Sequence, residues 1–149
     1  MSVVVIAGAR RTYPRRLAAS LAQLRSATDV LHVVTYGECP DPEVTGRHLV
    51  IPVAPTSRFA RGPRPVRLAL RVLRLVFSRR ATDHFRRSVL SSPEVDALLR
   101  QATVLVAVDP PAVEVAWHVI RRHPDLAAVV GAPAALDVIN RRQGAPEQG

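Results

Sequence analysis

The chain has 149 residues, the length of one ordinary domain, and 48% of them are hydrophobic, enough to bury a core. Its single cysteine, Cys39, excludes an intrachain disulfide and a cysteine-based zinc site, and favours a cytoplasmic location. No apolar run is long enough to span a bilayer. The chain contains 21 arginines and no lysine. The absence of lysine excludes a P-loop lysine, a Schiff-base lysine and a lysine general base.

The net charge of +9 is concentrated in one part of the chain. The stretch from Arg58 to Arg87 holds ten arginines against one acid, Asp83, and the remainder holds 11 arginines against 11 acids. Such a local excess favours an acidic partner that meets one surface of the protein.

The first predicted elements form a strand–helix–strand unit. Ser2 to Ala7 is a β-branched run that ends at Gly8, and the arginines that follow it are the reverse of a secretory signal, so we predict a buried strand. A helix follows Pro14, with leucines at helical spacing, and residues 29–36 form a second strand. A unit of this kind is almost always parallel and right-handed.

The second half alternates in the same way. Residues 47–53 predict a third strand, and Pro52 within it indicates a strand end or a sheet edge. A long helical stretch covers residues 66–90, and a serine at 91 or 92 before Pro93 is typical of the N-cap of another helix. Further predicted elements are strands at 103–108 and 126–130, a helix between them that begins after Asp109, and a short helix at 132–140.

Strand runs rich in Val, Ile and Ala are typical of parallel sheets that are covered on both faces. The sequence therefore predicts one Rossmann-like α/β domain over residues 1–140, with a mostly parallel sheet of about five strands, helices on both faces, and a disordered tail at 141–149.

Ligands of open parallel sheets bind beyond the carboxyl ends of the strands. At the end of the first strand, Gly8, Arg10, Arg11 and Thr12 precede a helix and form a candidate site for a phosphate or a sugar phosphate. An ordinary tight turn with exposed arginines is the alternative, because GARRTYP is neither GxGxxG nor GxxxxGK[ST].

Two carboxylates lie near other predicted strand ends. Asp109 follows a hydrophobic strand and is interpreted either as a ligand-site residue or as the cap of the helix that begins at Pro110. Glu38 lies near the end of the second strand and is a further candidate. No histidine has metal-ligand spacing, so no metal site and no cofactor are predicted, and His32 and His48 are expected to be structural.

The arginine-rich stretch predicts an amphipathic helix. Arg64, Arg67, Arg71 and Arg74 form one stripe, Arg79 and Arg80 follow, and apolar residues occupy most of the remaining circumference. Three readings remain open: a core helix with a solvated stripe, a helix on an anionic membrane or partner protein, and a nucleic-acid contact. The scarcity of aromatic residues disfavours nucleic acid.

Three segments resemble the N-terminal half of a two-domain, GT-B type glycosyltransferase of the retaining group. They are SVVVIAGARRTYPRRLAASLAQL, PRPVRLALRVLRLVFSRR and QATVLVAVDPPAVEVAWHVIRRHPDLAAVVGAPAAL. The resemblance implies a domain that binds the acceptor and associates peripherally, through its basic helix, with the inner face of a membrane. The resemblance does not extend to a donor-binding half, so the chain is expected to need a partner chain for sugar transfer, to be a fragment of a larger enzyme, or to be a non-catalytic relative.

A second, weaker resemblance is to small Rossmann-like nucleotide-sensing domains that open with a strand and a Gly-Ala-Arg turn, as at Gly8. It implies an alternative function, a module that binds a nucleotide or another phosphorylated ligand. A protein-interaction domain without a small ligand is the third reading.

Overall fold

The computed structural model describes residues 1–8, 15–37, 44–53 and 81–144. Its strands are β1 (Ser2–Ala7), β2 (Val30–Tyr36), β3 (His48–Ile51), β4 (Val104–Ala107) and β5 (Ala127–Val130). The helices are α1 (Arg15–Arg25), α2 (described over residues 81–91), α3 (Pro93–Gln101), α4 (Pro110–Ile120) and α5 (Ala132–Gly144).

The five strands form one sheet in the order β3-β2-β1-β4-β5, and every pair of neighbours is parallel. The register is continuous across the centre, where Val4 of β1 lies opposite His32 of β2 and Leu105 of β4. This arrangement confirms the predicted fold class, a Rossmann-like α/β domain with helices on both faces of a parallel sheet.

Alternate side chains of the central strands enter two separate cores. Val4 and Ile6 point to the face covered by α2, α3 and α4, and Val3 and Val5 point to the face covered by α1 and α5. All four side chains are fully buried. A strand buried on both sides has no polar face, which is why β1 reads as an unbroken apolar run and not as an alternation.

The helix boundaries follow local chemistry that the sequence already displayed. Ser92 caps α3, since its hydroxyl oxygen accepts a hydrogen bond from the Val95 amide at 3.3 Å and Pro93 occupies the first helical turn. In the sheet, β3 pairs with β2 alone and ends at Ile51, directly before Pro52. The prediction that this proline marks a strand end or a sheet edge is confirmed, and the structure shows both.

The C-terminal helix is longer than predicted. We expected a disordered tail from residue 141, but α5 continues to Gly144. Basic residues suit a helix C-terminus, and Arg142 also donates a hydrogen bond to the Thr103 carbonyl oxygen at 3.2 Å. Gln143 donates to the Ala27 carbonyl oxygen at 3.3 Å, so the last turn is fastened to the amino-end edge of the sheet.

Candidate functional site

The sheet has a topological switch point between β1, its central strand, and the neighbouring strand β4. From β1 the chain passes through α1 on one face to β2, and from β4 it passes through α4 on the other face to β5. Right-handed connections that move in opposite directions along a sheet must lie on opposite faces. The two connections therefore part at the carboxyl ends of β1 and β4, where open α/β sheets bind ligands.

Asp109 joins the two sides of this switch point. One carboxylate oxygen accepts a hydrogen bond from the Gly8 amide at 2.8 Å, and the other accepts one from the Ala112 amide at 2.9 Å. The side chain is 5% exposed. Of the two interpretations left open by the sequence, the structure shows the helix cap, and it adds a bond to β1 that spacing along the chain does not predict.

Gly8 is required at this position by close packing. A Cβ atom on Gly8 would lie 2.5 Å from Cε1 of Phe85 and 2.8 Å from Cβ of Pro111. Phe85 is fully buried on α2, and Pro111 belongs to the first turn of α4. Gly8 thus allows both helices to approach the end of β1. Glycine is needed here because it has no side chain and not because of its backbone conformation, since its φ is not positive.

The N-terminus of α4 offers few hydrogen-bond donors to a ligand. Its first two residues, Pro110 and Pro111, have no amide hydrogen. The amide of the third, Ala112, donates to Asp109, and that of Val113 donates to the Asp109 carbonyl oxygen at 3.0 Å. Helix N-termini bind anions through free amides. On the β4 side of the switch point those amides are already used within the protein.

Two aromatic rings of α2 and β2 line the same edge. Tyr36, the last residue of β2, is 3% exposed, and its ring packs against Phe85 at a centroid distance of 5.2 Å. The Tyr36 hydroxyl lies 3.4 Å from Nδ1 of the half-buried His84. Gly37 follows with a φ of +83°, a conformation that glycine adopts without strain, and its amide donates to the Ile51 carbonyl oxygen.

Charged side chains of α2 and α4 are paired with one another. Arg86 of α2 binds both Asp83, at 3.0 Å, and Glu114 of α4. The Asp109 carboxylate adds a negative charge beside Gly8. A negatively charged ligand would need positive charge from another segment.

The predicted site residues divide accordingly. Gly8 and Asp109 are brought together. Arg10, Arg11, Thr12 and Glu38 lie outside the described residues. The predicted arginine stripe of Arg64, Arg67, Arg71 and Arg74 also lies outside them, as do Arg79 and Arg80. Within the part of the chain that is described, no helix is long and apolar enough to cross a membrane.

Sequence reasoning missed Phe85 and His84 as neighbours of the switch point. Tyr36 ends the second predicted strand, one of the strand ends at which the sequence predicts ligand binding. Phe85 and His84 come from a helix on the other side of a long connection, and nothing in their spacing points to β1 or β2.

The histidines of β2 and β3 are structural, as predicted. Nδ1 of His32 accepts a hydrogen bond from the Arg47 amide at 2.8 Å. Nε2 of His48 lies 2.9 Å from the Thr35 hydroxyl, which donates to the Gly37 carbonyl oxygen at 3.2 Å and can therefore accept from the imidazole. Among the residues of the four described ranges, no group of three or more His, Cys, Asp or Glu side chains could hold a metal ion.

One face of α4 is apolar and exposed. Trp117 is 54% exposed and Val113, one turn earlier, is 37% exposed. The Arg121 guanidinium lies over the Trp117 ring, 5.0 Å from its centroid. A large exposed aromatic side chain is a common component of a protein contact.

Comparison with known proteins does not assign this chain to a family. No protein-family model, no curated protein and no solved structure matches this chain. The resemblance to a GT-B glycosyltransferase half therefore stays a prediction, and the assignment of function depends on the geometry of the carboxyl edge.

Proposed function

We propose that this domain binds a phosphorylated small molecule at the switch point between β1 and β4. The observation that supports the proposal is the strand order β3-β2-β1-β4-β5, with α1 and α4 on opposite faces, because sheets of this kind open a crevice at that point. Gly8 lies at the end of β1 on this crevice, with its amide bonded to Asp109.

The chemistry of the two sides suggests how the ligand is oriented. On the β4 side, the Asp109 carboxylate lies next to Gly8 and the first amides of α4 are used by Asp109, so this side is a poor site for a phosphate. The segment that joins Gly8 to α1 carries Arg10, Arg11 and Thr12, which supply positive charge and a hydroxyl. We expect the phosphate to bind this segment, and an uncharged part of the ligand to face β4.

A thermal-shift titration of the full chain tests this function. The probes are inorganic phosphate, ADP, UDP and UDP-glucose, each at a series of concentrations. A ligand at 100 times its dissociation constant adds about 2.7 kcal/mol of stability, which is readily detected. The expected result is a saturable increase in Tm with at least one phosphorylated probe and none with uridine or glucose alone.

A matched pair of variants locates the binding. Arg10→Ala with Arg11→Ala removes the proposed phosphate contacts and should abolish the shift. Arg141→Ala removes an exposed arginine near the far end of α5 and should leave it unchanged. A flat response of the unmodified protein to every probe contradicts the proposal, and so does a shift that survives in the double variant.

The acceptor half of a glycosyltransferase is the second candidate function, and the exposed apolar face of α4 favours it. Val113 lies one turn after Asp109 in α4, and Trp117 lies one turn further on. A partner chain that contacted these two side chains would also cover the carboxyl edge of the sheet. In this reading the arginine stripe of residues 64–74 binds an anionic membrane. Sedimentation with phosphatidylglycerol vesicles tests it: the unmodified protein should bind, and a variant with Arg67, Arg71 and Arg74 changed to Glu should not.

A further inference from the structure

A buried imidazole holds the edge strand β3 against β2. The turn at residues 45–47, which leads into β3, is fastened to β2 by four hydrogen bonds. The Thr45 hydroxyl accepts from the Leu31 amide at 3.0 Å, the Gly46 amide donates to the Leu31 carbonyl oxygen at 3.0 Å, and the Arg47 carbonyl oxygen accepts from the Val33 amide at 2.9 Å. The fourth is the bond of 2.8 Å from the Arg47 amide to Nδ1 of His32.

The bond to His32 exists in only one protonation state. Nδ1 accepts a hydrogen from Arg47, so it must carry a lone pair, and an imidazolium has hydrogens on both nitrogens and no acceptor. Protonation would set two N–H groups against each other at a side chain that is 8% exposed. Gly46 packs closely against the ring, since a Cβ added to Gly46 would lie 2.5 Å from Nδ1 of His32.

The neighbours of His32 within the described ranges disfavour the imidazolium. In the sheet His32 lies beside Val4 of β1, and on its other side it meets Arg47, whose positive charge opposes protonation. Burial and, to a smaller extent, the charge of Arg47 lower the pKa of His32 below its ordinary value of 6.5. The second imidazole of this region behaves differently, because His48 serves Thr35 as a donor and can do so in either protonation state.

We propose that His32 is an acid-sensitive latch, whose protonation releases the 45–47 turn and the edge strand β3 from β2. The direction of the pH effect follows from the linkage between proton binding and opening of the latch. Because the pKa of the folded state lies below 6.5, the opened form binds more protons as the pH falls, and the latch weakens. Above pH 6.5 the latch is closed at full strength. Between that value and the folded pKa, the equilibrium constant for opening rises up to about tenfold for each pH unit.

Hydrogen exchange of the full chain, followed by NMR across this pH range, tests the latch. The protection factor of the Arg47 amide, after correction for the intrinsic exchange rate, should fall by up to about tenfold per pH unit below 6.5. Amides of β4, in the centre of the sheet, should keep their protection over the same range, which separates local opening from global unfolding.

Two variants make the test specific. His32→Asn places a carboxamide oxygen near the position of Nδ1, so it keeps an acceptor for Arg47 that does not titrate, and its Arg47 protection should be independent of pH. His48→Gln keeps a donor to Thr35 and should retain the pH dependence. Constant protection of Arg47 in the unmodified protein, or an equal fall in His32→Asn, overturns the proposal.

A direct titration covers the case in which His32→Asn does not fold. The Cε1 proton of His32 in the unmodified protein reports the protonation of the ring. Its midpoint should lie below 6.5 and coincide with the loss of Arg47 protection. A midpoint at or above 6.5, or loss of protection without titration of the ring, overturns the latch.

Discussion

Adding one methyl group to Gly8 should destabilise the domain through its contact with α2 and α4. The new Cβ of Gly8→Ala would approach Cε1 of Phe85 to 2.5 Å, and Cδ1 of Phe85 and Cβ of Pro111 to 2.8 Å each. Carbon atoms do not pack stably at such distances. Phe85 is fully buried and Pro111 is held in the first turn of α4, so relief requires a shift of a helix against the sheet.

Overpacking of this kind costs about 1–3 kcal/mol. For a domain of this length each kcal/mol lowers Tm by about 2–4 °C, so we expect a decrease of about 2–12 °C. Urea unfolding followed by circular dichroism gives the free energy of unfolding, and an unchanged m-value would show that both proteins unfold from comparable states. The φ of Gly8 is not positive, so backbone strain makes no contribution to the expected loss.

A double-mutant cycle with Phe85→Leu identifies the contact. Leucine lacks the ring atoms that the new methyl group would meet, so Gly8→Ala should cost less in the Phe85→Leu background than in the unmodified protein. Contacting residues typically show coupling of about 0.5–3 kcal/mol. Purely additive effects, or a Gly8→Ala variant as stable as the unmodified protein, would refute the packing argument at the switch point.

Three further substitutions test separate parts of the framework, each by urea unfolding. Gly131→Ala should cost about 1–2 kcal/mol through its φ of +79° alone, because the nearest atom to its new Cβ is 3.7 Å away; a neutral result would contradict this assignment. Asp109→Asn should cost about 1–3 kcal/mol, since an amide has one acceptor oxygen for the two amides of Gly8 and Ala112; equal stability would mean that one of these bonds is dispensable. Ser92→Ala should cost about 1 kcal/mol through loss of the α3 cap, and Ser92→Asp, which restores an acceptor, should recover most of it.

The fold could be predicted because its signals are local. Each central strand is a short run of β-branched residues bounded by a turn, and Ser92 and Pro93 mark the start of α3 within two residues. The edge position of β3 followed from a single residue, since Pro52 has no amide hydrogen for a sheet ladder. For the β1–β2 and β4–β5 pairs, the parallel direction then followed from the helix predicted between the two strands.

The contacts across the switch point could be predicted only in part, because they join residues far apart in the chain. The bond from Gly8 to Asp109 joins residues 101 positions apart. It forms because β1 and β4 are neighbours in the sheet, and this pairing of strands is not encoded in local spacing. The contact of Phe85 with Gly8 has no periodic signature. The missed last turn of α5 has a different cause: the turn is polar and runs into Gly144, which resembles a tail, but bonds from Arg142 and Gln143 hold it against the amino-end edge of the sheet.

The two hydrogen bonds that Asp109 accepts also limit the chemistry that this edge can perform. A general base must present a lone pair to its substrate, yet both carboxylate oxygens of Asp109 accept backbone amides and the side chain is 5% exposed. Freeing either oxygen would uncap α4 or break the bond to Gly8 at the end of β1. Asp109 therefore holds the framework of the switch point, and any reaction at the proposed ligand site would depend on side chains other than this buried carboxylate.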